Sequence, residues 1–244
     1  MKHLKTTFLK IAVFFFLATT TTSCIIDGFS KITGNRNVLT KSRKVSEDFN
    51  SIAVSRGLDV YITQGNKNAI TVEADENLHD VITTEVRNGV LSISAEENIG
   101  RAKAKKVYVT THGLEKLTAS SGSSVRTENT LTATSFTAKA SSGASLRLHI
   151  KADSLWAKSS SGASLKMMGE AADLTVKASS GSDIRAYDLI AAHGTAKASS
   201  GASINLHVTE SIDAKASSGG DIDYKGNPKT THKKKSSGGS ISAY

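Results

Sequence analysis

Hydrophobic and polar residues alternate with a period of two along most of the chain after residue 45. In the first half, this alternation comes in short runs that end at Gly, Asn, Asp or Ser. Runs of four to six residues with this period are typical of β-strands that bury one face. Asn88-Gly89 also predicts a tight hairpin turn between two of the runs. The first half is therefore predicted to be all-β, with strands over 51–55, 58–63, 69–74, 81–86, 90–95 and 106–110.

The second half repeats the tripeptide Ser-Ser-Gly at intervals of 18 to 21 residues. Helical repeats and propeller blades need roughly 33 to 50 residues, so this period excludes them and leaves a leucine-rich repeat or a β-helix. The repeat has little leucine and no helical segment, which favours the β-helix. The seven glycines are Gly122, Gly143, Gly162, Gly181, Gly201, Gly219 and Gly238.

The alternation within each repeat predicts which side chains face the core. The third residue after each glycine is aliphatic, and the positions three and five before it are small or apolar in most repeats, as Ala138 and Ala140 are before Gly143. Successive residues of a strand point to opposite faces, so odd offsets from the glycine face inward and even offsets face outward. We therefore expect one coil of a single-stranded parallel β-helix for about every 19 residues.

Basic residues occupy two of the outward positions. Because coils stack about 4.8 Å apart, equivalent residues of successive repeats form columns along the solenoid. One basic column lies four residues before the glycines and the other four residues after them. They are a candidate surface for an acidic polysaccharide or another polyanion, and a solvated surface is the simpler alternative. The candidate binding residues are Lys139, Lys158, Lys177, Lys197 and Lys215 in the first column and Arg126, Arg147, Lys166 and Arg185 in the second; Lys234 continues the first.

The amino terminus has the pattern of an export signal. Three lysines precede an apolar run over 11–18, which is too short to span a bilayer. Thr21-Thr22-Ser23-Cys24 resembles the lipobox of bacterial lipoproteins, which implies a lipid on Cys24 that holds the protein at a membrane. We therefore predict a signal peptide over 1–23, a lipidated cysteine and tether over 24–44, and one folded domain over 45–244.

Composition narrows the class further. The chain has 244 residues, of which 38% are hydrophobic, so a folded domain rather than a disordered one is expected. Cys24 is the only cysteine, which excludes an intramolecular disulfide. The formal net charge of +9 includes the three lysines of the signal segment, and part of the remainder lies in two short runs, Arg101 to Lys106 and Lys229 to Lys235, that are typical of solvated surface.

Several segments of the first half resemble one known family. They are Phe49 to Ser55, Leu58 to Gly65, Val72 to Leu78, Ile82 to Val86 and Gly89 to Ile93, and Ser-Ser-Gly coils follow them. Together they resemble the "putative auto-transporter adhesin, head GIN" domain over 45–244. The resemblance implies a right-handed parallel β-helix on exported, often lipid-anchored proteins of Bacteroidetes-type bacteria, and it brings no catalytic residues.

Catalytic readings of the sequence are weaker than structural ones. No repeat supplies the histidine and acid that a nucleophilic serine needs, and the histidines lack zinc-ligand spacing. Asp183, Asp221 and Asp223 form the strongest enzyme hypothesis, because β-helix lyases hold calcium with acids, but a coil with Ser203 separates the first two. Trp156 is expected to pack at a coil corner. The sequence thus predicts no catalytic site, no metal and no cofactor.

A short acidic stretch invites one further interpretation. Asp75-Glu76-Asn77-Leu78 could begin a calcium loop, but the alternating acidic spacing of such loops does not follow, so a polar turn between strands is expected.

The predicted function is therefore an exported, lipid-anchored binding or adhesion module of the cell envelope without catalysis. The alternatives are a structural envelope rod with no specific ligand and a polysaccharide-active β-helix enzyme. The predicted location is the outer membrane or cell surface, with the periplasmic side left open. The sequence makes no prediction of oligomeric state.

Overall fold

The computed structural model describes residues 31–45 and 47–244, which contain one short 3₁₀ helix, Glu76–Leu78, and otherwise strands and turns. The predicted signal peptide and Cys24 lie outside these residues. No helix of the described part is long and apolar enough to cross a membrane. The first strands are β1 (Lys31–Ile32), β2 (Val38–Arg43), β3 (Ser51–Val54), β4 (Asp59–Gln64), β5 (Ala69–Asp75), β6 (Ile82–Arg87), β7 (Val90–Ala95), β8 (Asn98–Ile99) and β9 (Lys105–Thr111).

The Ser-Ser-Gly half of the chain is a parallel β-solenoid, as the repeat predicts. Each strand pairs in parallel with the equivalent segment of the next coil, so residues about 19 apart become neighbours. The aliphatic residue three after each glycine is buried in every repeat. The strands of this half are β10 (Lys116–Ala119), β11 (Ser124–Thr127), β12 (Leu131–Ala140), β13 (Ser145–Ser160), β14 (Ser164–Ser179), β15 (Asp183–Ala198), β16 (Ser203–Ala216), β17 (Asp221–Lys225), β18 (Thr230–Lys235) and β19 (Ser240–Ala243).

Each Ser-Ser-Gly tripeptide forms a sharp corner of its coil. The second serine has φ between 47° and 56° and the glycine has φ between 66° and 75°, so two successive residues adopt the left-handed conformation. Glycine tolerates this conformation without steric cost, whereas serine does not. The glycine N–H donates to the carbonyl of the second serine in the next coil, as from Gly162 to Ser180 at 3.1 Å. The corners therefore stack on one another along the solenoid.

One further corner has a different sequence. Arg56 and Gly57 join β3 to β4 with φ values of 56° and 68°, and the Gly57 N–H donates to the carbonyl of Ser121 at 3.0 Å. β3 pairs in parallel with β10, and β4 pairs in parallel with β11. The coil that contains them therefore stacks directly on the first Ser-Ser-Gly coil, although it lacks the tripeptide.

Antiparallel strands cover the other side of this coil. β7 and β9 first extend the two parallel rows. β6 then pairs antiparallel with β7 through the predicted Asn88-Gly89 turn, and β5 pairs antiparallel with β9. The predicted strands of the first half are thus confirmed, but their pairing is mixed rather than purely parallel.

The predicted tether contains an ordered strand. β2 pairs antiparallel with β5, from Val38 opposite Asp75 to Arg43 opposite Ile70. Its residues are mostly exposed or half-buried, so the strand lacks the alternation that marks the others. Residues 38–43, within the segment predicted as a tether, therefore form part of the sheet.

Buried Asp75 joins segments that are distant in sequence. Its carboxylate accepts backbone hydrogen bonds from Arg36 at 3.1 Å, from Ala104 at 2.9 Å and from Lys103 at 3.1 Å. Burial raises the pKa of Asp75, but these bonds outweigh it and hold the pKa below its usual value. The expected polar turn is present as the 3₁₀ helix, and its first acidic residue is a buried structural anchor.

Differences in repeat length are absorbed by bulges. The register shifts between Lys166 and Met168 where β14 meets β15, and again between Ala186 and Ile190 and between Ala191 and His193 where β15 meets β16. All these shifts lie away from the Ser-Ser-Gly corners. The residues just before each corner therefore keep their register through coils of 18, 19 and 20 residues.

The last described coil differs from the others at its inward positions. Thr231, Lys233 and Lys235 lie opposite Ile212, Ala214 and Ala216 of the preceding coil, and all of β18 is exposed. The Lys233 ammonium lies 4.8 Å from the ring centre of Tyr224, which is buried. Tyr244 is 79% exposed and does not close the core.

Candidate functional site

The lysines that precede the corners form one continuous column, which we call the lysine strip. Lys139 pairs in register with Lys158, and the pairing continues through Lys177, Lys197, Lys215 and Lys234. At the spacing of hydrogen-bonded strands, neighbours in the strip are about 4.8 Å apart at the backbone. The structure thus brings these sequence-predicted residues together.

The alternation of the strands points these lysines outward. Lys158 lies between buried Ala157 and buried Ser159, and Lys197 lies between buried Ala196 and Ala198. The small inward residues pack close to the core, so each lysine is held on a rigid strand rather than on a loop. The strip is therefore a pre-formed row of cations.

Most of the lysine strip lacks compensating charge. Within residues 31–45 and 47–244, no carboxylate lies within ion-pair distance of Lys139, Lys158, Lys177 or Lys197. Lys215 is paired with Asp213 at 3.2 Å. Two charges 4.8 Å apart repel by about 0.9 kcal/mol in water, and salt reduces this further. The fold therefore accepts a small electrostatic cost along this face.

The second basic column is in register but is largely neutralised. Arg126, Arg147, Lys166 and Arg185 follow one another in adjacent coils. Three of them have carboxylate partners: Arg126 with Glu128 at 2.7 Å, Lys166 with Asp188 at 3.3 Å and Arg185 with Asp183 at 3.1 Å. The lysine strip thus has more basic side chains without a carboxylate partner than the second column has. The positions of the basic residues in the sequence do not reveal this difference.

Trp156 lies on the outward face and not at a coil corner, which corrects the expectation. It lies within β13, two residues before Lys158, and is half-buried. The ammonium groups of Lys139 and Lys177, from the coils before and after, lie 5.4 Å and 5.8 Å from its ring centre. Such cation–π contacts fix lysine side chains that are otherwise mobile.

Aromatic residues also occur on the face of the second column. Tyr61 and Tyr108 stack with ring centres 4.9 Å apart, and the Arg126 guanidinium lies 4.4 Å from the Tyr61 ring centre. These tyrosines continue the column in coils that lack the Ser-Ser-Gly signal. The sequence does not place Tyr61 and Tyr108 in this column, because the strand register of the first half does not follow from the Ser-Ser-Gly repeat.

The acidic residues do not form a metal site in the described part of the chain. Asp183 pairs with Ser203 and Ser203 with Asp221, so a full coil separates the two acids. Burial and then the charge of Asp221 raise the pKa of Asp223. No group of three or more potential metal ligands is found among the described residues.

One serine and one histidine meet on the surface. His193 Nδ1 lies 2.9 Å from the Ser211 hydroxyl. Within the described residues, no acid is hydrogen-bonded to the other ring nitrogen, so the pair lacks the orienting group of a catalytic triad.

A surface groove of about 800 Å³ borders the amino-terminal end of the lysine strip. Its lining includes Phe49, Glu115, Lys116 and Thr137, the last of which is two residues before Lys139. Asn50 donates to the Glu115 carboxylate at 2.9 Å. The lining has no set of convergent charged groups comparable to the lysine strip.

One family, described as "Putative auto-transporter adhesin, head GIN domain", has a sequence profile that matches residues 48–228 of this chain. The chain belongs to the head GIN family. A search of curated proteins gave no match.

Solved structures of three similar proteins share the solenoid. A "putative adhesin" from Bacteroides fragilis is 23% identical, with a TM-score of 0.78, and the match covers 87% of this chain and all of that one. A "putative lipid binding protein" and a "putative adhesin" from Parabacteroides distasonis are each 21% identical, with TM-scores of 0.73 and 0.72. Each match covers 88% of this chain and all of the other. These similarities show the solenoid fold for the chain, and they leave its ligand open.

Proposed function

We propose that this head GIN protein is an exported, non-enzymatic binding module of the cell envelope that holds polyanions along the lysine strip. The observation that supports the proposal is the row of lysines in register, of which Lys139, Lys158, Lys177 and Lys197 have no carboxylate partner within the described residues. A row of uncompensated cations on a rigid face attracts anions over several ångströms. The family description as an adhesin agrees with a binding role.

Charge reversal of the strip tests this proposal. The triple variant Lys158→Glu, Lys177→Glu and Lys197→Glu is expected to abolish retention on an immobilised polyanion at low salt, because it replaces three central cations by anions. The circular-dichroism spectrum should be unchanged, since the three side chains are exposed.

A matched variant controls for net charge. Lys41, Lys67 and Lys103 are also exposed, and reversing all three changes the net charge by the same amount away from the strip. This control is expected to remain largely bound. Equal loss of retention in both triples would mean that only overall charge matters, and the lysine strip would then have no specific role.

We also propose that Cys24 carries a lipid that holds the solenoid at the outer membrane or cell surface. The lipobox-like sequence before Cys24 supports the proposal. Cys24→Ser is expected to move the protein from the membrane fraction to the soluble fraction. Protease treatment of intact cells separates the two sides of the membrane, because only a surface-exposed domain is removed.

A further inference from the structure

We infer that the lysine strip takes an extended polyuronate, a linear polysaccharide with a carboxylate on every ring, laid parallel to the solenoid axis. This inference rests on the proposed function and names the chemical class of its ligand. It depends on three features of the strip, namely its spacing, its unpaired amines and its hydroxyl borders.

The first feature is the regular spacing. Five lysines from Lys139 to Lys215 follow one another in five consecutive coils, so the row spans about 19 Å at about 4.8 Å per step. A pyranose ring adds roughly one such step to an extended chain. A polyuronate therefore offers one carboxylate per lysine along the row, whereas a lipid headgroup offers only a local cluster of charge.

The second feature is the availability of the lysine amines. Lys139, Lys158, Lys177 and Lys197 have no carboxylate partner within the described residues. Their amines can therefore pair with the carboxylates of a ligand, and hydrogen bonds between charged groups are the strong ones.

The third feature is the hydroxyl groups on both sides of the lysines. Half-buried serines lie two residues after the lysines, and half-buried threonines lie two residues before several of them. Hydroxyl groups donate and accept hydrogen bonds, so they suit the hydroxyls of a sugar chain. These residues are Ser160, Ser179 and Ser199 on one side and Thr137, Thr175 and Thr195 on the other.

A nucleic acid fits this face less well. Proteins that bind single strands stack bases on aromatic side chains. Among the described residues of the lysine strip and of the columns two residues before and after it, Trp156 is the single Trp, Tyr or Phe. Lysines from both neighbouring coils lie over its ring. The face therefore offers cations and hydroxyls but no free stacking platform.

Titration calorimetry with size-fractionated polygalacturonate fragments tests the inference. Affinity is expected to rise with fragment length until the fragment spans the five lysines and then to level off. Lys177→Gln should bind a spanning fragment about fivefold more weakly than the wild type. The slope of log K against log salt concentration should also become shallower by about one unit, because one ion pair is lost. Lys67→Gln, an exposed control away from the strip, should change neither quantity.

Two further probes separate the possible failures. Hyaluronate carries a carboxylate on every second ring, and oligothymidylate carries phosphates and bases; both should bind more weakly than polygalacturonate of equal charge. If either binds as tightly while Lys177→Gln still weakens it, the polyuronate inference is wrong and the proposed binding function stands. If no polyanion binds at all, the proposed function itself fails.

Discussion

At the scale of single residues, a few side chains hold together parts of the chain that the repeat does not connect. Asp75 is fully buried and accepts hydrogen bonds from the backbone of Arg36, Lys103 and Ala104. It links the segment before β2 to the segment before β9. A buried charge is tolerated here because several amide groups replace the water that it loses.

Asp75→Asn is expected to lower the free energy of unfolding by about 1–3 kcal/mol at neutral pH, because an amide group cannot accept all of these bonds. Urea unfolding of both proteins measures the loss. Asp153→Asn, an exposed matched control, should change stability little. A neutral effect of Asp75→Asn would show that the carboxylate is not the anchor.

The same residue predicts a dependence on pH. The pKa of Asp75 is lower in the folded than in the unfolded state, so its contribution is complete above the unfolded value of about 4 and is lost as the pH falls toward the folded value. The wild-type protein should therefore lose stability below about pH 4 more steeply than Asp75→Asn does. Parallel slopes for the two proteins would contradict this account.

Two glycines illustrate how backbone position sets the cost of a side chain. Gly162 has φ of 70° with no atom within 4 Å of an added Cβ, so Gly162→Ala should cost only about 1–2 kcal/mol of conformational strain. Gly169 has φ of 118°, and its added Cβ would clash with the carbonyl oxygen of Ile150. Gly169→Ala should therefore cost more than about 3 kcal/mol, as measured by thermal or urea unfolding.

At the scale of elements, the last described coil replaces core residues by cations. Ala214 and Ala216 of β16 face the core, and their partners in β18 are Lys233 and Lys235. A strand edge with inward-pointing charges is a poor template for another strand. The last described coil therefore resists the stacking of another strand on it.

Replacing both inward lysines tests this property. Lys233→Ala with Lys235→Ala restores the inward pattern of the earlier coils, so the variant is expected to associate end to end. Light scattering after size-exclusion chromatography would show the increase in mass with concentration. Lys234→Ala, which removes an outward lysine of the same strand, should stay in the wild-type state, and self-association of that control alone would contradict the proposal.

How much the sequence predicts also depends on the element. The Ser-Ser-Gly spacing predicts the coils and the register of Lys158 with Lys177, because each coil repeats the same local pattern. It does not predict β2 or the coil around Arg56-Gly57, because these depend on contacts between segments far apart in a part of the chain without repeats. The corner position expected for Trp156 was wrong because no motif marks the coil corners other than Ser-Ser-Gly.

At the scale of the whole molecule, repulsion between neighbouring lysines of the strip lowers the free energy of unfolding. Lys158 has a lysine in register on each side, at about 4.8 Å of backbone spacing. Lys158→Glu turns two repulsions into attractions, so it should stabilise the protein by up to about 1 kcal/mol at low salt and by much less at about 1 M salt. Urea unfolding at both salt concentrations, with Lys41→Glu as the control, measures the difference.

The bulges where β14 meets β15 and where β15 meets β16 lie outside the Ser-Ser-Gly corners and the strand residues just before them, and repeats of different length therefore leave the row of cations undisturbed. Gain or loss of a few residues at these bulges is harmless to the charged row. Duplication of one whole Ser-Ser-Gly repeat would add one corner, one lysine and one strand spacing. The lysine strip would therefore lengthen in fixed increments of one coil.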